Sequence, residues 1–102
     1  MEMIKKLSEM IEEELEDAEK YARCALNNKE NFKSVADVFY ELGNAEMEHM
    51  NKLHGQVVNM IENYRKEHGD PPEKMMFLYN YLHEKHMKKA AEVKILLSMY
   101  KG

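Results

Sequence analysis

Apolar side chains recur every three or four residues along almost the whole chain, a spacing that is typical of amphipathic α-helices. Two segments interrupt it. The polar run Asn27-Asn28-Lys29-Glu30-Asn31 predicts a turn, and Gly69-Asp70-Pro71-Pro72 predicts a firm stop. No stretch alternates in the manner of a β-strand. The sequence therefore predicts one all-α domain over residues 1–102, built as an antiparallel bundle of three long helices.

The middle helix is the longest of the three. It is predicted from about Asn31 to His68, which would make it ~55 Å long if it is unbroken. Gly55 lies within it and is a candidate position for a kink or break, although a single glycine is weak evidence for either. Proline is tolerated in the first turn of a helix, so the third helix can begin near Pro72.

Charge and apolar content exclude several classes of protein. The 102 residues carry a formal net charge of −4, so there is no basic surface for nucleic acid. No apolar run approaches the ~20 residues that a membrane span needs. The first residues do not resemble a secretory signal, and Cys24 has no second cysteine to pair with. We expect a cytoplasmic protein without nucleic-acid or membrane partners.

Three polar side chains fall on the predicted inward stripes. Glu14 interrupts the apolar stripe of the first helix. Glu46 and His49 are three residues apart on the second, so they share one face. A buried carboxylate is costly unless it is paired or binds a metal. Two carboxylates and an imidazole inside a bundle suit iron, manganese or zinc. The alternative is a polar cluster, such as Glu14 with His49, that holds no metal.

Reflecting the helices about their turns estimates which residues lie at the same height. Reflection about the first turn places Glu14 level with Ala45, next to Glu46. Reflection about the second turn places His49 level with Glu92. Glu92 is therefore the candidate fourth ligand, although the lysines near it favour a surface salt bridge about equally.

The other histidines give weaker signals. By the same reflection His83 is level with Val58, ~16 Å along the helix from the layer of Glu46 and His49. His54 and His86 are nearly level with each other and could form a second site. Both lie on partly polar faces, so we expect them to be solvated instead.

The spacing of Glu14, Ala18 and Tyr21, followed by Glu46-x-x-His49, resembles the ferritin-like superfamily, and most closely its rubrerythrin branch. The likeness covers roughly residues 10–54. It implies a carboxylate-bridged iron site with one or two ions, and iron oxidation or chemistry with oxygen or peroxide. We also expect the Tyr21 hydroxyl to bond to a ligand carboxylate and orient it.

The chain departs from that family pattern in three ways. It has three helices where the family has four, no second Glu-x-x-His follows Pro72, and there is no cysteine pair for a rubredoxin-like centre. The remainder of a two-metal site must then come from Glu92 or from another subunit, or it does not exist. Some short relatives build such a site across a dimer interface.

The sequence also predicts a homodimer formed through the second and third helices. Met60, Ile61 and Tyr64 are expected to extend beyond the end of the first helix, and an uncovered apolar surface of this kind usually marks a contact. A different class of function stays open: a non-enzymatic helical interaction protein that retains the ferritin-like fold. Whether the chain is an enzyme is left undecided.

Overall fold

The computed structural model describes residues 2–102 and contains three α-helices: α1 (Glu2–Asn28), α2 (Lys33–His68) and α3 (Glu73–Lys101). No residue in that range belongs to a strand. Consecutive helices are antiparallel and form an elongated bundle of 56 × 20 × 17 Å. The all-α prediction and the two turns are confirmed. Met1, at the start of the predicted domain, lies outside the described residues.

The helix is not broken at Gly55, because α2 runs for 36 residues without interruption. One glycine costs a helix only about 1 kcal/mol, which the packing on either side of it offsets. The helix ends at Gly69, whose φ of +80° is a conformation that glycine adopts without strain. The Gly69 N–H donates to the Arg65 carbonyl, and this bond satisfies one carbonyl in the last turn of α2.

Small residues let the helices approach closely near the middle of the bundle. α1 packs against both other helices, and Ala18, Ala22 and Ala25 on it are fully buried. A Cβ atom on Gly43 would lie 3.1 Å from Leu97 Cδ2 and 3.6 Å from the Ala18 carbonyl oxygen. All three helices therefore meet tightly at Gly43.

The heights of α2 and α3 agree closely with the reflected register. Gly43 lies against Leu97, and the rings of Tyr40 and Tyr100 stack with centroids 4.9 Å apart. This alignment places His49 level with Ala91, one residue from the predicted Glu92. The tight loop between the helices fixes their relative height, so the sequence could predict it.

The proposed uncovered end of α2 is partly wrong. Ile61 is buried in the same apolar cluster as Ile4, and it lines a cavity with Met76 and Tyr79 of α3. Met60 and Tyr64 are half-buried. Within the described range, no helix is both long and apolar enough to cross a membrane.

Candidate metal centre

Glu14, Glu46 and His49 converge at one point between α1 and α2. Each offers a ligand atom, and the three atoms all lie within 4.8 Å of one another. His49 Nδ1 is 3.4 Å from Glu14 Oε2 and 3.7 Å from Glu46 Oε1. The three residues that the sequence indicated on two separate helices therefore form one cluster.

Close packing one turn away from the cluster explains why the side chains meet. Ala18 lies four residues after Glu14, and Gly43 lies three residues before Glu46. Because these residues are small, the two helix backbones approach there, and the longer acidic side chains one turn further on reach the same point. Glu46 and His49 project together since they are three residues apart on α2.

The two carboxyl groups strongly affect each other. The pKa of Glu46 is raised to about 7, chiefly by a side-chain hydrogen bond with Glu14 that favours the protonated form. Burial and the negative charge of Glu14 raise it further, while His49 acts in the opposite direction. Without a cation, the pair therefore tends to hold a proton near neutral pH.

One oxygen of the Glu14 carboxylate lacks a hydrogen-bond partner among the described residues. While Glu46 is ionised, Glu14 Oε2 is buried without a hydrogen-bond partner in residues 2–102, since the contact with His49 lacks hydrogen-bond geometry. A buried unpaired carboxylate oxygen is costly. Metal ligand atoms lie about 2.0–2.2 Å from an ion, so neighbouring ligand atoms are roughly 3 Å apart. The present spacing is slightly wider, and these residues fit a divalent cation after small rotamer changes.

The cluster opens to solvent on its imidazole side. The side chain of His49 is 52% exposed, compared with 24% for Glu14 and 18% for Glu46. A bound ion would therefore have its carboxylate side covered and its remaining coordination positions accessible. Such a site could exchange ions or admit small molecules.

The structure places Glu92 away from this cluster. Glu92 is exposed and lines a cavity between α1 and α3 together with Glu12 and Glu16. Glu12 and Glu16 are each two residues from Glu14, which is about 200° around a helix. Glu92 therefore lies across α1 from Glu14, at the predicted height but on the wrong side. Reflection about a turn gives height alone and does not specify which face of α3 points inward.

The expected contact of Tyr21 is not found. The rings of Tyr21 and Phe39 stack with centroids 6.2 Å apart, and no hydrogen bond joins the Tyr21 hydroxyl to a carboxylate in the described part of the chain. The lysines near Glu92 do form ion pairs, but with acids of α1, because Lys85 Nζ lies 3.7 Å from Glu12 and Lys89 pairs with Glu19. These ion pairs link α3 to α1.

The histidines of α2 and α3 are organised differently from the prediction. His54 Nε2 lies 3.2 Å from His83 Nδ1, and the two rings stack. His86, expected in solvent, is buried, and its Nε2 lacks a partner among the described residues. The spacing of three between His83 and His86 was a usable signal, but the reflection placed His83 opposite Val58 instead of His54.

Comparison with protein-family models, with curated proteins and with solved structures finds no match to this chain.

Proposed function

We propose that this protein binds a non-haem divalent metal ion, iron before manganese or zinc, through Glu14, Glu46 and His49. One observation carries the proposal: two carboxylates and an imidazole converge within 4.8 Å around a buried carboxylate oxygen that has no partner among the described residues. A cation would satisfy that oxygen and remove the repulsion between the two acids. Oxygen donors with one imidazole suit iron and manganese, and zinc is also bound by such ligands.

The residues have separable roles in this proposal. Glu46 must release its proton for an ion to bind, because only the carboxylate is a ligand. Glu14 supplies the buried oxygen, and His49 supplies a neutral ring nitrogen on the solvent side. Bound iron would supply one-electron chemistry with oxygen or peroxide, which is the activity implied by the ferritin-like resemblance.

We further propose that a second copy of this chain covers the site. One chain supplies three ligands, whereas two-iron sites in helical bundles use four glutamates and two histidines. Two copies facing each other would supply that set. Exposed apolar residues flank the site on the same side of α1 and α2; they are Met3, Met10, Val35, Val38 and Leu42, here called the metal-site face.

The spacing of these residues supports that arrangement. Val35, Val38 and Leu42 precede Glu46 at steps of three or four residues, so they share its face of α2. Met3 and Met10 precede Glu14 at steps of seven and four residues on α1. Apolar contacts would thus lie on both sides of the ligands and exclude water from the paired site. The homodimer that we propose therefore uses α1 and α2, whereas the sequence suggested α2 and α3.

Metal analysis of protein purified without chelator, and then reconstituted with ferrous iron, tests the proposal. We expect bound metal in the natural chain and loss of most of it in Glu46→Ala. Glu48→Ala is the matched control, because Glu48 is an exposed glutamate two residues away on the same helix. Absence of metal in the natural chain, or equal loss in both variants, would contradict the proposal.

Iron oxidation is tested separately from binding. Apoprotein mixed with ferrous iron in air should form ferric absorbance faster than the buffer alone, and faster at concentrations at which the dimer forms. His49→Ala should slow this reaction at least tenfold. Oxidation at the rate of the buffer while metal is bound would favour a binding role without catalysis.

The alternative function is that of a non-enzymatic helical interaction protein, in which Glu14, Glu46 and His49 form only a polar cluster. The exposed apolar residues of the metal-site face favour it, since they suit a protein partner whether or not metal binds. Two measurements distinguish these functions. An interaction protein carries no metal in its natural form, and its Glu46→Ala variant keeps its self-association or partner binding.

A further inference from the structure

A second group of potential ligands lies on the other side of α2. His54 follows His49 by five residues, which is about 140° around the helix and ~8 Å along it. On α3, His83 and His86 are three residues apart and therefore share a face. This group contains no residue of the first cluster and does not depend on the function proposed for that cluster.

The separation of the first two rings suits a shared ion. His54 Nε2 and His83 Nδ1 are 3.2 Å apart. Two imidazole nitrogens that bind one tetrahedral zinc ion at 2.0–2.1 Å lie about 3.3 Å from each other. Tyr79 stacks on His83 with ring centroids 5.7 Å apart, which helps to hold that ring in place. Without an ion the same two nitrogens share a hydrogen bond, and an ion would take the place of its proton.

His86 supplies the independent observation that a ligand is missing. It is 6% exposed, and its Nε2 is buried with no hydrogen-bond partner among the described residues. An unsatisfied buried ring nitrogen carries a free-energy cost that coordination would remove. His86 lines the cavity between α1 and α3 together with Glu12. In the present rotamers the three histidines do not bring their ligand atoms within 4.8 Å of one another, so the His86 ring must turn towards α2 to complete the site.

The surroundings favour the neutral form of two of these rings. Burial lowers the pKa of His86 and of His54, and the neighbouring His83 lowers that of His54 further. Glu12 acts in the opposite direction on the pKa of His86. The neutral ring is the state in which imidazole is a ligand.

We propose that His54, His83 and His86 form a second metal site, which binds zinc or a chemically similar ion through three imidazole nitrogens between α2 and α3. The donor set differs from that of the first cluster. Nitrogen ligands favour zinc, copper and nickel, whereas carboxylates favour iron and manganese. The two sites would thus take different ions from the same solution.

The test uses the full chain with the first site removed by Glu46→Ala. Zinc is titrated against a chromophoric chelator, and cobalt is added separately because tetrahedral cobalt absorbs visible light. We expect about one ion per chain in Glu46→Ala. Adding His83→Phe, which keeps an aromatic ring for stacking but has no nitrogen, should weaken binding at least tenfold. His54→Ala should have the same effect.

His68→Ala is the matched control, because His68 lies at the exposed end of the same helix as His54. It should bind zinc as tightly as the Glu46→Ala parent. No zinc binding in that parent, undiminished binding in His83→Phe, or equal weakening in His68→Ala would overturn the proposal. Circular dichroism confirms that each variant is folded.

The role of His86 is tested without substituting this buried residue. Nitrogen-15 spectra of the imidazole rings report which nitrogens bind an ion. One nitrogen of each of the three histidines should shift when zinc is added to Glu46→Ala. Shifts confined to His54 and His83 would overturn the three-histidine site. Loss of iron binding at the first cluster would leave all these outcomes unchanged.

Discussion

At the scale of single residues, the protonation of Glu46 decides how the cluster of Glu14, Glu46 and His49 responds to pH. Glu46 is mostly buried beside a second carboxyl group, and its pKa is raised to about 7, first by hydrogen bonding with Glu14 and then by burial. Its proton therefore competes with any metal ion near neutral pH. Acidification below pH 7 should weaken metal binding, since the protonated group is not a ligand.

A first prediction concerns the stability of the metal-free protein. Between the ordinary carboxyl pKa of 4.5 and the folded value of about 7, the folded chain holds a proton that the unfolded chain has lost. The free energy of unfolding must then fall as pH rises through this interval. The Glu46→Gln variant has no ionisable group at this position, so its free energy of unfolding does not fall in this way. We expect that free energy to be about 1–3 kcal/mol higher than that of the natural chain at pH 8, and equal to it near pH 4.

Urea denaturation in the presence of a chelator measures this difference. Glu48→Gln is the control, because Glu48 is exposed on the same helix and should show no comparable change with pH. At pH 8, saturating metal should make the natural chain more stable than Glu46→Gln, since the natural chain is expected to bind the ion and the variant has lost a ligand. A Glu46→Gln advantage that is the same at every pH would mean that the two carboxyl groups do not interact as described.

At the scale of the helices, the contact of α1 with α2 at Gly43 sets the geometry of the cluster. Ala18 and Gly43 allow close approach within one turn of Glu14 and Glu46. The distance between α1 and α2, and with it the distance between Glu14 and Glu46, therefore depends on residues outside the cluster. The α1–α3 contact is separate and is reinforced by the ion pairs of Lys85 and Lys89.

A second prediction tests that spacing. Gly43→Val places a branched side chain where a Cβ alone would lie 3.1 Å from Leu97 Cδ2 and 3.6 Å from the Ala18 carbonyl oxygen. The Leu97 side chain must shift, and the two further methyl groups push α1 and α2 apart. We expect a loss of about 1–3 kcal/mol in unfolding free energy, and metal binding weakened more than tenfold. Gly55→Ala is the matched glycine control. Nothing lies within 4 Å of the added Cβ, and better helix propensity should add about 0.5–1 kcal/mol.

Thermal unfolding and metal titration of the two glycine variants give the comparison. Gly55→Ala should keep the metal affinity of the natural chain. If Gly43→Val binds metal normally despite reduced stability, the close approach of α1 and α2 is not what positions Glu14 and Glu46.

At the scale of the whole molecule, apolar surface is distributed over two sides of the bundle. One side is the metal-site face. The other is the outer side of α3, where Phe77, Tyr81, Ile95 and Met99 are exposed. Only the metal-site face includes the cluster of Glu14, Glu46 and His49, which has too few ligands for two ions. A second copy of the chain would supply the missing ligands there, so we propose the dimer contact on this side.

A third prediction separates these two surfaces. Leu42→Asp introduces a charge into the metal-site face and should raise the dimer dissociation constant at least tenfold, which corresponds to about 1.4 kcal/mol. It should also lower the number of ions bound per chain. Phe77→Asp is the control on α3, where the side chain is 75% exposed. Sedimentation equilibrium measures both variants with and without ferrous iron. A natural chain that stays monomeric at micromolar concentration, or a larger effect of Phe77→Asp, would contradict the proposed interface.

The sequence by itself determined the three helices, their ends and their relative heights. The apolar period of 3.6 residues and the stop around Gly69 and Pro71 are local signals. A short turn then fixes which residues of two consecutive helices lie at the same height. The cluster of Glu14, Glu46 and His49 could be predicted for the same reason. Its ligands either share a helix face or lie opposite each other across one hairpin.

Only the tertiary structure decided how each helix is rotated about its axis. Glu92 has the predicted height, yet it faces Glu12 and Glu16 across α1 from the cluster of Glu14, Glu46 and His49. His86 is buried and His54 contacts His83, although the sequence predicted that His54 and His86 would be solvated. Helix α3 is apolar on more than one side, so its sequence does not specify an inward face. The side that is buried depends on how side chains of α1 and α2 pack against it, and that packing joins residues far apart in the chain.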